Sequence, residues 1–196
     1  MNKVLNVGGN NKAIPIPKCY DGWEHHLLDI DPKGGPDVLC DAQELYLRED
    51  LFDKYDSVYC SHNLEHYYQH KVASVLQGFF NVTNGDGFVY VAVPHIPNVL
   101  RQVVASNMEL TDPLYRLSDG TPISAHDVIY GWGKQIRESG VEFFAHKTAF
   151  SPQSLYNAIR AAGFEFIYIS EQGLNLVAYG FKKEPTEQEL DAVTKG

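Results

Sequence analysis

The feature that most constrains this chain is an alternation along its first half. Short, β-rich apolar runs recur, and turn residues or longer helix-period segments separate them. Val4–Val7 stops at Gly8-Gly9, and His26–Ile30 stops at Asp31-Pro32. Asp37–Cys40, Asp56–Ser61 and Phe88–Val93 follow, the last closed by Pro94. Each has strand length and composition. Between the fourth and fifth runs, Val72, Val75, Leu76, Phe79 and Phe80 form one apolar stripe, which predicts a helix. Asn84-Gly85-Asp86-Gly87 should break the chain before the next strand. A second helix is expected from Ser151 to about Ala162, capped by Ser151 and released at Gly163. Two closing strands, Glu165–Ser170 and Asn175–Phe181, are joined by so short a turn that they must be antiparallel.

These seven strands predict an α/β fold: a Rossmann-like, seven-stranded, mostly parallel sheet with an antiparallel C-terminal hairpin strand and helices on both faces. One domain over residues 1–182 is expected, with 98–148 as a lid-like insertion and 183–196 as a polar tail, frayed or disordered. Phe79-Phe80 and Phe143-Phe144 are expected in the core.

Composition narrows the partners. With 44% hydrophobic and 21% charged residues the chain reads as a folded globular protein. Sixteen Lys plus Arg against 25 Asp plus Glu give a net charge of −9, which disfavours a broad grip on nucleic acid. No apolar run approaches the roughly 20 residues of a membrane span. Met1–Gly9 has no basic-then-apolar signal pattern. Cys19, Cys40 and Cys60 are widely spaced and odd in number, which fits reduced thiols in the cytoplasm.

Ligands of open α/β sheets bind beyond the carboxyl ends of the strands, at the switch point. The first strand ends in Gly8-Gly9-Asn10-Asn11, where glycines let the backbone turn sharply. The second ends in Asp29-Ile30-Asp31, about 20 residues on, the spacing of a carboxylate that accepts from ribose hydroxyls. The third ends in Cys40-Asp41-Ala42, where a carboxylate beside a free N–H can read an adenine edge. No helix of useful length follows Gly8-Gly9, because Pro15, Pro17 and Gly22 interrupt it. A dinucleotide pyrophosphate needs that helix. S-adenosylmethionine, which carries ribose and adenine but no phosphate, does not.

Val4–Gly9, Leu28–Asp31, Asp37–Asp41 and Tyr55–His66, then Val72–Pro94, resemble a small class I S-adenosylmethionine-dependent methyltransferase. Ser61-His62-Asn63-Leu64-Glu65-His66 is the most telling stretch. The resemblance covers residues 3–95 and 151–182, and Ala125–Phe150 is similar to a type 11-like subgroup of predicted methyltransferases. It implies that Gly8 and Gly9 pass the methionine part of the cofactor, that Asp29 holds the ribose, that Asp41 and Ala42 meet adenine, and that Ser61 and His62 line the wall near the methyl group, with Asn10 and Asp31 also among the cofactor-binding residues. His62, His66, His126 and His146 are the candidates for moving a proton from a small-molecule or glycan-type acceptor. The oligomeric state is left open.

The family's usual Gly-x-Gly-x-Gly loop stands here as Gly8-Gly9-Asn10-Asn11. A second reading is therefore a non-catalytic binding or scaffold protein, its site blocked by side chains such as Asn10 or Asn11. A third is a zinc hydrolase, because His62-Asn63-Leu64-Glu65-His66 spells H-x-x-E-H, with His70 one turn on. That pattern needs a helix and begins here at a strand end, so no metal is assigned.

Overall fold

The computed structural model describes residues 1–194. Its centre is a seven-stranded sheet built from β1 (Lys3–Val7), β2 (Glu24–Asp29), β3 (Val38–Leu39), β4 (Tyr55–Ser61), β5 (Thr83–Pro94), β8 (Phe166–Gln172) and β9 (Asn175–Phe181). The order is β3-β2-β1-β4-β5-β9-β8. β1 to β5 pair in parallel, and β9 runs antiparallel to both β5 and β8. This is the Rossmann-like architecture expected. The apolar runs of β1, β4 and β5 are continuous because these central strands are covered on both faces.

The two faces are covered differently. On one, α1 (Gln69–Val82) and α5 (Pro152–Ala161) press Val72, Val75, Leu76, Phe79, Leu155 and Ile159 onto the sheet. Ser151 caps α5 through a reciprocal pair with Ser154. The other face is rich in aromatics, and a 3-10 turn at Lys18–Tyr20 places Tyr20 against Trp23, Tyr59 and Phe88. The C-terminal helix α6 (Glu187–Thr194) brings Leu190 and Val193 to this face. The expected polar tail is thus a capped helix with an apolar side as far as Thr194. Lys195 and Gly196 lie outside the described residues.

The break expected at Asn84–Gly87 does not separate helix from strand. Tyr55 pairs with Thr83 and Ser57 with Phe88, so the intervening residues loop out of a ladder that has already begun.

The insertion builds α2 (Ile96–Ala105), a hairpin of β6 (Pro113–Arg116) and β7 (Pro122–Ser124), α3 (Ala125–Tyr130) and α4 (Gly133–Ser139). It has an apolar cluster of its own, with Val99, Val103, Leu114, Ile123, Ala125 and Val128. Phe143 stands 56% exposed, against the core position expected of it, because the 3-10 turn Glu142–Phe144 lies at the outer surface. Among the described residues no helix is long and apolar enough to cross a membrane.

Candidate functional site

Parallel strands share one carboxyl edge, and the topology puts every strand-end candidate there. The chain turns back between β1 and β4, so the switch point lies between the Gly8 loop and Ser61-His62. Gly8 adopts φ +71° and its N–H donates to the Leu28 carbonyl at 2.8 Å, which ties the loop to β2. Asn10 takes φ +57°, the left-handed conformation that asparagine tolerates better than most residues, and so does the work of a third glycine.

Asp29 organises this corner. Its Oδ2 accepts from the Asn10 N–H at 3.1 Å and its Oδ1 from the Asp31 N–H at 2.9 Å. Each oxygen keeps a lone pair for a further donor. Asp31 itself is exposed and caps the 3-10 turn Pro32–Gly34 through the Lys33 N–H. Asp41 caps the 3-10 turn Ala42–Leu47, accepting from the Gln43 N–H at 3.0 Å and the Gln43 side chain at 2.8 Å. Ala42 is buried behind it. Burial, then the Asp41 charge, raises the Tyr67 phenol well above its ordinary value, so it stays protonated.

Asn10 and Asn11 are exposed and do not block the loop. Two other asparagines approach the glycines. A Cβ on Gly8 would overlap the Asn63 side chain, and a Cβ on Gly9 would overlap that of Asn6. Asn63 Oδ1 is buried there without a hydrogen-bond partner.

Beyond Ser61 the chain enters a second region. His62 has φ +51°, and its N–H donates to Ala92 O at 2.9 Å. A non-glycine residue held there costs roughly 1–2 kcal/mol. A 3-10 turn at Leu64–His66 follows instead of a helix, so H-x-x-E-H is not the helical zincin arrangement. The turn buries Glu65, 1% exposed, with both carboxylate oxygens lacking a hydrogen bond.

The segment before α5 is laced onto this turn. Lys147 N–H and Thr148 N–H donate to Glu65 O, at 2.8 and 3.2 Å. His66 Nδ1 lies 3.2 Å from Ala145 O. Gly131, at φ +96°, lets the end of α3 meet Phe144, because a Cβ there would strike the Phe144 carbonyl. His146 is thereby set with Nδ1 donating to Val128 O at 2.9 Å and Nε2 4.0 Å from Glu65 Oε1. His62 Nδ1 lies 3.3 Å from the same oxygen. Burial lowers the His146 value despite Glu65. Burial also acts on His62, but there the Glu65 carboxylate outweighs it and the value is raised.

Three of the four candidate histidines, His62, His66 and His146, therefore meet around Glu65. His126 does not join them: it is exposed on α3 and packs on Tyr130, with ring centroids 4.9 Å apart. His62 and His146 line a cleft of about 460 Å³ under the insertion. Pro94, Asn175 and Leu174 form its sheet side, and Tyr115, Asp127 and Trp132 belong to its roof. Gly8, Gly9, Asp29 and Asp41 lie outside this cleft. His95 was missed by sequence reasoning. It follows β5, is 1% exposed, and holds Glu171 Oε2 at 2.9 Å from Nε2. Its place just after the fifth strand was the available signal.

No family model and no curated protein matches the sequence. Solved structures do match. A SAM-dependent methyltransferase from Archaeoglobus fulgidus aligns with a TM-score of 0.56 at 14% identity, over 92% of this chain and 86% of its own. A SAM-dependent methyltransferase from Thermotoga maritima, described as a possible histamine N-methyltransferase, aligns at 0.54 and 14% identity, over 93% and 83%. The 1,6-didemethyltoxoflavin-N1-methyltransferase of Burkholderia thailandensis, solved with S-adenosylhomocysteine, aligns at 0.50 and 16% identity, over 92% and 71%. The likeness is one of fold: the chain has the architecture of class I methyltransferases.

Proposed function

We propose that the protein is an S-adenosylmethionine-dependent methyltransferase, of the type 11-like group, acting on a small-molecule or glycan-type acceptor in the cytoplasm. One observation carries the reading. The turned loop at Gly8, the carboxylate of Asp29 tied to it, and a roofed cleft beside His62 all lie along one sheet edge. The unit that acts is residues 1–182, with 98–148 as the lid.

The residues fit the cofactor. The orphaned Asn63 Oδ1 beside Gly8 suits an ammonium donor such as the amino-acid end. Asp29 keeps lone pairs for ribose hydroxyls, and Asp41 and Ala42 flank the adenine side. When bound, S-adenosylmethionine supplies an electrophilic methyl on a sulfonium. Ser61 and His62, at the end of β4, form the wall between that side and the cleft. The insertion orients the acceptor and keeps water out, which is most of what an in-line transfer demands. His62 and His146 face the acceptor and can take its proton; His66 lies behind them. The cleft mixes aromatic Tyr115 and Trp132 with Asp127 and Asn175, which suits a ring that carries hydrogen-bonding groups. The net charge of −9 supports neither an RNA nor a DNA acceptor.

One observation favours the second reading, a binding protein without catalysis: Asn6 and Asn63 already fill the space beside the glycines. Titration calorimetry with S-adenosylmethionine and S-adenosylhomocysteine separates the two. Binding is expected, weakened at least about tenfold by Asp29→Ala, since a lost hydrogen bond to a charged group is worth about 1.5–3 kcal/mol. No heat at millimolar ligand would overturn the proposal.

A further inference from the structure

We infer that Glu65, His66 and His146 form a binding site for one zinc-like divalent metal ion, with its open position toward the cleft. One oxygen or nitrogen donor atom from each lies within 4.8 Å of the others. The inference leaves the cofactor assignments untouched, because none of the three residues belongs to the loop and strand-end carboxylates proposed for the cofactor. With the ion bound, His146 gives its Nε2 lone pair to the metal, and taking a proton from an acceptor falls to His62.

Glu65 is the strongest sign. Its side chain is 2% exposed, no hydrogen bond reaches either carboxylate oxygen, and its nearest cationic neighbour is the half-exposed His62, 3.3 Å from Oε1. Buried carboxylates are normally paired, hydrogen-bonded or bound to a metal. The histidines around it are set as ligands are set. His146 commits Nδ1–H to the Val128 carbonyl, which fixes the tautomer and leaves the Nε2 lone pair facing Glu65. His66 can do the same through Nδ1 and the Ala145 carbonyl. Its Nε2 lies 3.2 Å from the His62 carbonyl, so a neutral His66 ring, with one N–H, can donate to only one of the two carbonyls it meets. With Nδ1–H on the Ala145 carbonyl, Nε2 keeps a lone pair free to bind an ion.

Two imidazoles and one carboxylate are a donor set that zinc takes in sites that keep a fourth position open. Bonds of about 2.0–2.1 Å set tetrahedral donors about 3.4 Å apart. His146 Nε2 and Glu65 Oε1, at 4.0 Å, reach that spacing by small side-chain rotations. The fourth position points to the side where His62 lies, 3.3 Å from Glu65 Oε1, and where the cleft opens. An oxygen of the molecule in the cleft fills it. The hydrogen bonds from Lys147 and Thr148 to the Glu65 carbonyl hold the two halves of the site together across the fold.

The test uses the full chain, stripped with a chelator and dialysed. Zinc is titrated in competition with a chromophoric chelator, and cobalt(II) is added separately to read d–d bands in the visible. One ion per chain is expected, with micromolar or tighter affinity and cobalt bands of a low-coordinate site. Glu65→Gln and His146→Gln should each weaken binding more than about 100-fold, since even second-shell losses cost 10–100-fold. His70→Ala, at an exposed histidine one turn on, should change nothing. Circular dichroism checks folding. If Glu65→Gln does not fold, the partly exposed His66 and His146 decide the matter through their own Gln variants. Zinc that fails to bind, or binds equally well in the folded His66→Gln and His146→Gln variants, overturns the inference. Calorimetry with S-adenosylmethionine on the stripped protein tests the other reading separately.

Discussion

At the scale of single residues, the corner proposed for the cofactor depends on two close approaches. Gly8 is held at φ +71° with the Asn63 amide against it. Gly8→Ala should therefore destabilise the protein by about 2–3 kcal/mol, from the left-handed backbone and the overlap together. Urea denaturation of the single variant and of the double with Asn63→Ala separates the parts. The double variant should recover the overlap and retain the backbone cost of about 1 kcal/mol. An additive result would show that Asn63 does not crowd Gly8. Residue-scale features were legible where one residue type answers one local need. Gly8, Asp29 and Asp41 stand at strand ends, and turn composition marks strand ends. Glu65 and His146 were not legible as a pair. They are joined by the packing of the 145–148 segment on the 64–66 turn, a contact no local pattern encodes.

At the scale of elements, caps decide which short helices stand. In α3, Asp127 Oδ2 accepts from the Ser124 N–H and hydroxyl, and Oδ1 from the Gly133 N–H. Burial acts to raise the Asp127 value, but these hydrogen bonds outweigh it, and the net shift is downward. A carboxylate depressed in the folded state adds stability above its unfolded pKa of about 3.9 and loses it as pH falls through the folded value. Asp127→Ala should cost about 1–2 kcal/mol at neutral pH. The gap from the parent should close in acid below about pH 4, which chemical denaturation at a series of pH values would record. A gap that stays constant into acid would exclude the carboxylate as its source. The C-terminal helix has the same device. Thr186 and Glu189 form a reciprocal cap, with Thr186 N–H and hydroxyl both on Glu189 Oε2 and Glu189 N–H on Thr186 Oγ1. The Thr-x-x-Glu signature was in the sequence all along, hidden by the polar composition around it. Removing the residues after Glu184 should uncover the face where Leu190 and Val193 sit, raising dye binding by the native protein and lowering its thermal midpoint. An unchanged midpoint would mean that α6 adds nothing to the fold. The hairpin of β6 and β7 was illegible for a different reason. Its strands are four and three residues long and each begins with proline, too short for a period to show.

At the scale of the whole molecule, the chain carries two bodies of unequal standing. The sheet and its two helices form a core whose central strands are covered on both faces, and that is why β1, β4 and β5 read as continuous apolar runs. The insertion has a smaller cluster of its own around Val99, Ile123 and Val128, held to the sheet body by Leu174, which packs against it, and by polar ties at Glu65, His66, His95, Asn98 and Arg101. Its length and place after the fifth strand were readable; its fold was not, because a small cluster assembled from short pieces has no long period. Such a unit should open by itself, at lower free energy than the sheet. Native-state hydrogen exchange should then show the amides of residues 113–131 exchanging together and at least about tenfold faster than those of β4 and β5. Ile123→Val removes one methyl from this cluster at a cost of about 1 kcal/mol. It should speed exchange across the insertion roughly fivefold and leave β1, β4 and β5 unmoved. Equal acceleration in the sheet would make the insertion part of a single cooperative core. A roof that opens alone matters because His146 rides on its return to the sheet while His62 and Glu65 sit on the sheet edge. Each opening of the insertion would then loosen one side of the cleft and leave the Gly8–Asp29 corner intact, so that under the proposed function access to the cleft and binding at that corner would be controlled separately.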